Sequence, residues 1–238
     1  MKFAPLRSPL PRERASAIVL ALSLLVSSSG CSALTLMISK AVFGDAHTDN
    51  AYSAATGKTL AKGKRTVVIF VSAPTAITKD LSTLPIDLQS ELTIKMKRNG
   101  VSVIDSDKVT SVLDGAGGRF DATKLAEAFP QANEFIHVVI ERYSEREPLS
   151  KAMYRGRAQG IVYAYEARAN KDEEPKEDKK PKRHVIRCFE REFQVEYPKT
   201  YPLSAEQVQK NVFERQFLDD LSGHIGEIFY DVPLCEAH

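Results

Sequence analysis

The chain has 238 residues, 43% hydrophobic and 27% charged, which is enough apolar content for one ordinary core or two small ones and too much charge for a polytopic membrane protein. Lys2, Arg7, Arg12 and Arg14 against Glu13 give the first thirty residues a charge of +3, so the formal +2 of the whole leaves −1 on the remainder. A nearly neutral body without a clustered basic face makes no case for nucleic acid.

In chain order, residues 1–14 are a basic leader and residues 15–26, ASAIVLALSLLV, an apolar run. The run is shorter than the roughly 20 residues that a membrane-spanning helix needs. Ser27, Ser28, Ser29 and Gly30 follow, then Cys31. Basic leader, short apolar run, small residues and then cysteine resemble a bacterial lipoprotein signal, with Ser28 where that family more often carries Leu. The resemblance implies removal of residues 1–30, a diacylglyceryl group on the Cys31 thiol and an acylated new amino terminus, a membrane anchor that includes palmitate-type chains. Several chains hold far more firmly than one, at about 0.8 kcal/mol per buried CH₂. Ser32 rather than Asp follows the cysteine, so the expected address is the cell outer membrane, facing the periplasm.

Residues 31–65 are expected to be the lipidated terminus and a tether. LTLMISKAVF (34–43) reads as a short helix, and the small, polar, Gly-punctuated stretch after it reads as a linker. A single α/β domain is expected over 66–232. TVVIFVS (66–72) is a continuous apolar, β-branched run, as in a strand covered on both faces. Pro85 opens a helix in which Leu88, Leu92 and Met96 recur every four residues, and Asn99-Gly100 stops it. VSVID (101–105) is a short strand. SDKVTSVLDGAGGRF is a short helix running into a Gly-rich turn, and Asp121 caps ATKLAEAF, which Pro130 ends. EFIHVVIERYS (134–144) is a third buried strand. Strands alternating with helices predict a parallel βαβ arrangement.

The second half is antiparallel in character. Residues 154–169 and 183–197 read as long strands joined through NKDEEPKEDKKPK, a polyampholyte with no apolar residue, so 170–182 is expected to be a mobile hairpin tip. In the second strand Val185, Phe189, Phe193, Val195 and Tyr197 share one face with Arg187 and Arg191. Ile186, Cys188, Glu190, Glu192 and Glu196 take the other. A last helix is expected from a capping box of Ser204 and Gln207 with a staple of Leu203 and Val208. Leu218, Leu221, Ile225 and Ile228 keep its apolar face, and Gly223 and Gly226 imply a close approach or an early end. Residues 233–238 form a tail. The predicted class is therefore α/β (α+β), three-layer-like, with a mixed sheet from βαβαβ followed by an antiparallel hairpin and a C-terminal helix.

The strand TVVIFVS, the helix ending in KRNG, then VSVID, LAEAFPQANEFIHVVIE and the late hairpin resemble the anticodon-binding-like domain of the TolB amino-terminal region and of CsgG-type lipoproteins. The closing FLDDLSGHIGEIFYDVP is similar to the last helix of uncharacterised envelope lipoproteins of that kind. The resemblance implies a fold and a compartment and transfers no functional residue.

Chemistry-bearing motifs are sparse. DGAGGRF (114–120) lacks the Gly-Lys-Ser/Thr of a phosphate loop and the GxGxxG of a dinucleotide loop, so it reads as a turn. His137 lies inside an apolar strand and reads as a hydrogen-bonded structural histidine. His224 and Asp220, four apart, read as a local ion pair. No nucleophile elbow supports a serine triad. Cys188 and Cys235 either form a disulfide in an oxidising compartment or remain two thiols. Arg142, Arg146, Arg155 and Arg157 gather near one hairpin as a candidate partner surface.

The expectation is a non-enzymatic envelope lipoprotein without cofactor or metal. It would be held to the membrane through Cys31, bind a protein partner of unknown identity, and have scope for self-association. The alternatives are a CsgG-like oligomeric secretion pore, with 154–197 as its barrel hairpin, and an accessory lipoprotein of an envelope transporter. In such a barrel, a Lys or Arg facing lipid at mid-bilayer would cost about 2–4 kcal/mol.

Overall fold

The computed structural model describes residues 47–48, 50–61, 65–115, 117–169 and 183–233. The expected signal, Cys31, the charged tip over 170–182 and Cys235 lie outside the described residues.

The first parallel strand forms as predicted: β2 is Thr66–Ser72. (β1 is the two-residue strand His47–Thr48.) β2 pairs in parallel with both β3, Ser102–Val103, and β4, Glu134–Glu147. β4 runs antiparallel to β5, Ser150–Ala169, and β5 to β6, Arg183–Tyr197. The path across the sheet is β3-β2-β4-β5-β6, with β7, Leu203–Ser204, added to the start of β5. The mixed α+β sheet expected from sequence is therefore present. β1 separately pairs with β8, Val232–Pro233.

Helices cover both faces. α1, Ala51–Thr56, α3, Leu84–Arg98, and α6, Lys210–Gly226, pack on the first face, against Val67, Ile69 and Val71 of β2 and Ile136, Val138 and Ile140 of β4. On the second face α4, Ser106–Gly115, and α5, Ala122–Ala128, cover Val68 and Phe135. (α2 is the single turn Thr75–Thr78.) β2 thus has apolar side chains on both sides, the reason its sequence does not alternate. Each fully buried Val, Leu, Ile or Phe contributes about 1.5–3 kcal/mol.

Local chemistry sets the helix ends. Leu88, Leu92 and Met96 are fully buried along α3, with Asp87 in its first turn and Lys95, Lys97 and Arg98 in its last, the charge order its dipole favours. Gly100 follows at φ 76°, in the left-handed region that ends helices. The Asp121 side chain accepts from the Thr123 and Lys124 amides and starts α5.

Three expectations need correction. The stretch expected as tether packs from its middle onward: α1 carries Tyr52, and both Tyr52 and Leu60 are fully buried. The Ser204 capping box starts a turn and not the last helix. Ser204 Oγ accepts from the Glu206 amide and its carbonyl from the Gln207 and Val208 amides, and α6 begins six residues later. The third concerns β6. Ala164 pairs with Phe189 but the next residue, Tyr165, pairs with Arg187, so Cys188 is an extra residue in a bulge. The alternation shifts phase there. Val185 packs with the second-face cluster while Phe189, Phe193 and Val195 pack on the first.

Candidate interaction surface

The second face of the long β4-β5-β6 sheet extends beyond its two helices. Their apolar contacts end at Phe120 and Tyr165. Past that point Val139, Ile161 and Tyr163 are half-buried, and Arg142, Glu190, Glu192 and Gln194 are exposed. The bulge contributes to this face. It carries Arg187 across the sheet, away from Phe189, and sets its guanidinium 5.5 Å from the Tyr163 ring centroid.

His137 sits where the covered and open parts meet. Its Nε2 is 2.8 Å from Ser72 Oγ, and its ring stacks on Phe120 at 4.1 Å. Phe120 is delivered by the Gly turn, in which Gly117 and Gly118 take φ of 90° and 71°. Burial lowers the imidazole pKa to about 4, so it is neutral at physiological pH. The histidine is hydrogen-bonded and packed, as the sequence led one to expect.

The four arginines divide. Arg155 and Arg157 both reach Glu147 and Glu196: Arg155 Nε is 3.1 Å from Glu196, and Arg157 Nη2 is 3.0 Å from Glu147. Arg155 also donates to the Thr200 carbonyl at 2.7 Å. Arg146 lies over the Tyr154 ring at 4.9 Å. Arg142 is exposed and without an ion pair among the described residues, and it shares a shallow hollow with Gln159, Gln194 and Arg157.

A buried charge cluster lies at the opposite end of β4 and β5, and the sequence reading did not single it out. Glu134 is fully buried and pairs with Arg65, which also reaches Glu166 at 3.2 Å. Lys58 and Arg168 approach Glu166 at 2.7 and 2.6 Å. Burial raises the Glu134 pKa, only partly offset by Arg65. Burial also opposes ionisation of Glu166, but hydrogen bonds from Lys58, Arg168 and Arg65 outweigh it and hold the group at about 2. The Cys188 thiol donates to the Ala164 carbonyl at 3.4 Å beside Glu134, and burial pushes its pKa up. Its bridging to Cys235 falls outside the described residues. The signal available in sequence was Glu134 at the head of an apolar strand, a placement that requires a cation nearby.

A groove follows the outer edge of β6. One part, about 380 Å³, lies between Arg191–Gln194 and the end of α6, with Asn50, Ile228, Tyr230 and Val232 on its walls. A second part, about 610 Å³, continues along Gln194–Thr200 beside Asp219, Asp220 and Gly223. Gln194, His224 and Glu227 line both. His224 and Asp220 are not joined by a hydrogen bond or ion pair, contrary to the local pair expected. It is Asp219 that is bonded, to Lys95 at 2.7 Å. No metal-holding group of His, Cys, Asp or Glu occurs among the described residues, and no helix among them is long and apolar enough to cross a membrane.

No protein-family model matches the chain, and no curated protein matches it. Solved structures to which it is similar include a PelC dodecamer from Paraburkholderia phytofirmans, at 7% identity and TM-score 0.39, over 78% of this chain and 96% of that one. The lipoprotein GNA1162 of Neisseria meningitidis is 8% identical, with TM-score 0.37, over 69% and 97%. The hypothetical protein CT253 of Chlamydia trachomatis is 10% identical, with TM-score 0.43, over 71% and 98%. At such identity the likeness extends no residue's role to this chain.

Proposed function

We propose that this chain is a lipoprotein anchored through Cys31 in the outer membrane, facing the periplasm, where it acts as a non-enzymatic binding or assembly module for an envelope complex. The observation that carries the reading is the open second face of β4-β5-β6. There the half-buried Val139, Ile161 and Tyr163 are bordered by the exposed Arg142, Glu190, Glu192 and Gln194. An apolar centre with a polar rim is the composition of a protein-binding patch. The anchor rests on the leader, the short apolar run and Cys31.

The test is crosslinking in intact cells that express the full chain, followed by membrane extraction and mass spectrometry, with Cys31→Ser as the unanchored control. A partner captured with the anchored form and lost when Ile161→Asp or Arg142→Glu is introduced is the expected result. A ladder of self-linked subunits alone would replace the reading with the oligomeric pore. An enzymatic activity abolished by one polar substitution would overturn it.

A further inference from the structure

β6 is the edge of the sheet. It pairs with β5 on one side, and no backbone partner joins its other side among the described residues. The open stretch runs from Arg191 to Tyr197, and Pro198, which has no N–H, ends it. Seven strand residues span about 23 Å. Over this length the edge forms one wall of the groove whose other wall is α6. A free strand edge that faces a helix across a groove is the geometry that accepts an extended polypeptide as an added strand. Main-chain hydrogen bonds hold such a guest, and the side chains it turns toward the groove select it. The groove lies on the α6 side of the sheet, a different surface from the open second face, so nothing here rests on that face.

The walls define what such a strand must carry. The apolar lining, Phe193, Ile228 and Tyr230, lies toward the Arg191 end. Further along, α6 presents Asp220, His224 and, just past its last residue, Glu227. Spacings of four and three put these on one side of the helix. Neither Asp220 nor Glu227 has an ion pair among the described residues. Their neighbours differ: Lys95 holds Asp219 at 2.7 Å, and Arg155 holds Glu196 at 3.1 Å. The C-terminal end of α6 adds the partial negative charge of its last carbonyls at the same place. Arg191 and Lys199, the wall cations without ion pairs among the described residues, stand at the two ends of the edge and leave its middle acidic.

We infer that this groove binds an extended segment of another protein, added to β6 as a further strand. The segment turns an apolar side chain toward Phe193, Ile228 and Tyr230, and lysine or arginine toward Asp220 and Glu227. Side chains on one face of a strand recur about every 6.8 Å. Asp220 and Glu227 are separated by about 10.5 Å along the helix axis, within reach of two successive basic positions on their flexible stems. The guest is therefore a strand with alternate positions apolar, basic and basic.

A synthetic peptide, Thr-Val-Thr-Lys-Thr-Lys-Thr with a fluorophore at one end, tests this by anisotropy against the full chain purified in detergent. It is expected to bind at least tenfold more tightly than the same peptide with glutamate for both lysines. Asp220→Asn/Glu227→Gln is expected to abolish that preference and leave the melting midpoint unchanged. Two further peptides are N-methylated on one or the other set of alternate amides. One set must face β6, so one of the two is expected to lose binding. No saturable binding, equal affinity for the lysine and glutamate peptides, or undiminished binding of both methylated peptides would each overturn the inference. Ile161→Asp, on the open second face, is expected to bind the peptide as the parent does, and loss of binding there would move the site to that face and overturn it. A chain that sediments as a dimer and takes the peptide only on dissociation would assign the groove to a second copy, with the same consequence.

Discussion

Gly156 lies directly beneath Phe217: a Cβ placed on it would stand 2.5 Å from the ring, closer than real Cβ atoms come. The same holds at Gly160, where a Cβ would meet the Val139 carbonyl oxygen at 2.0 Å and the Phe193 ring at 2.8 Å. The ring at Gly156 has a side-chain torsion through which to move, whereas the carbonyl at Gly160 belongs to the neighbouring strand. Gly160→Ala is therefore expected to lower stability by about 1–3 kcal/mol, and by more than Gly156→Ala, in urea unfolding. Equal midpoints for the two variants would refute the argument.

Arg65 neutralises a carboxylate that has no access to water. Arg65→Ala leaves Glu134 buried and charged, at a cost of about 3–5 kcal/mol. Adding Glu134→Gln should recover part of the loss, because it removes the stranded charge. A double variant no more stable than the single one, measured by denaturant midpoint, would argue against this account.

Acid should loosen the fold in two windows. The folded pKa of His137 is about 4, below its ordinary 6.5, so the unfolded chain binds more protons between those values. This contribution is complete above about pH 6.5 and is lost as pH falls toward 4. Glu166, held at about 2, contributes stability above its ordinary 4.5 that is lost as pH falls through 2. In thermal melts at pH 7 and 5, His137→Phe is expected to show a smaller fall in midpoint than the parent. An identical fall would place the acid sensitivity elsewhere.

Arg157 and Arg142 differ in what their removal should do. Arg157 holds Glu147 and Glu196 but is one-third exposed, so Arg157→Ala should cost no more than about 1 kcal/mol. Arg142→Glu should leave the melting midpoint unchanged while reducing capture of the partner by crosslinking. A stability change on Arg142→Glu would mean that the side chain has a structural role.

The strands with one dominant demand were legible. TVVIFVS and RHVIRCFEREFQVEY became strands over the residues expected, since β-branched runs and alternation are local properties. Which face each side chain of β6 takes was not legible throughout, because Cys188 bulges in response to its partner strand, a non-local cause. The start of α6 was misplaced for a similar reason: Leu203 and Ser204 pair with Tyr154 and Met153, 49 to 51 residues earlier in the chain, and that pairing outcompetes a local cap. The partners of Arg155 and Arg157 also lie on neighbouring strands, so the arginine cluster was visible while its two glutamates were not.

The bulge at Cys188 also divides β6 into two stretches with different exposure to unwanted pairing. Bulges add local twist, and a twisted edge is a poor template for another flat strand. Residues 183–187 carry Arg183, His184 and Arg187, and Arg183 is spent on the carbonyls of Pro130 and Ala132 at 3.0 and 2.6 Å. That stretch is guarded by charge and curvature. Residues 191–197, on the far side of the bulge, keep a regular register with β5 and have only Arg191, Glu192 and Glu196 for protection. Aggregation through this sheet, when it occurs, should begin there.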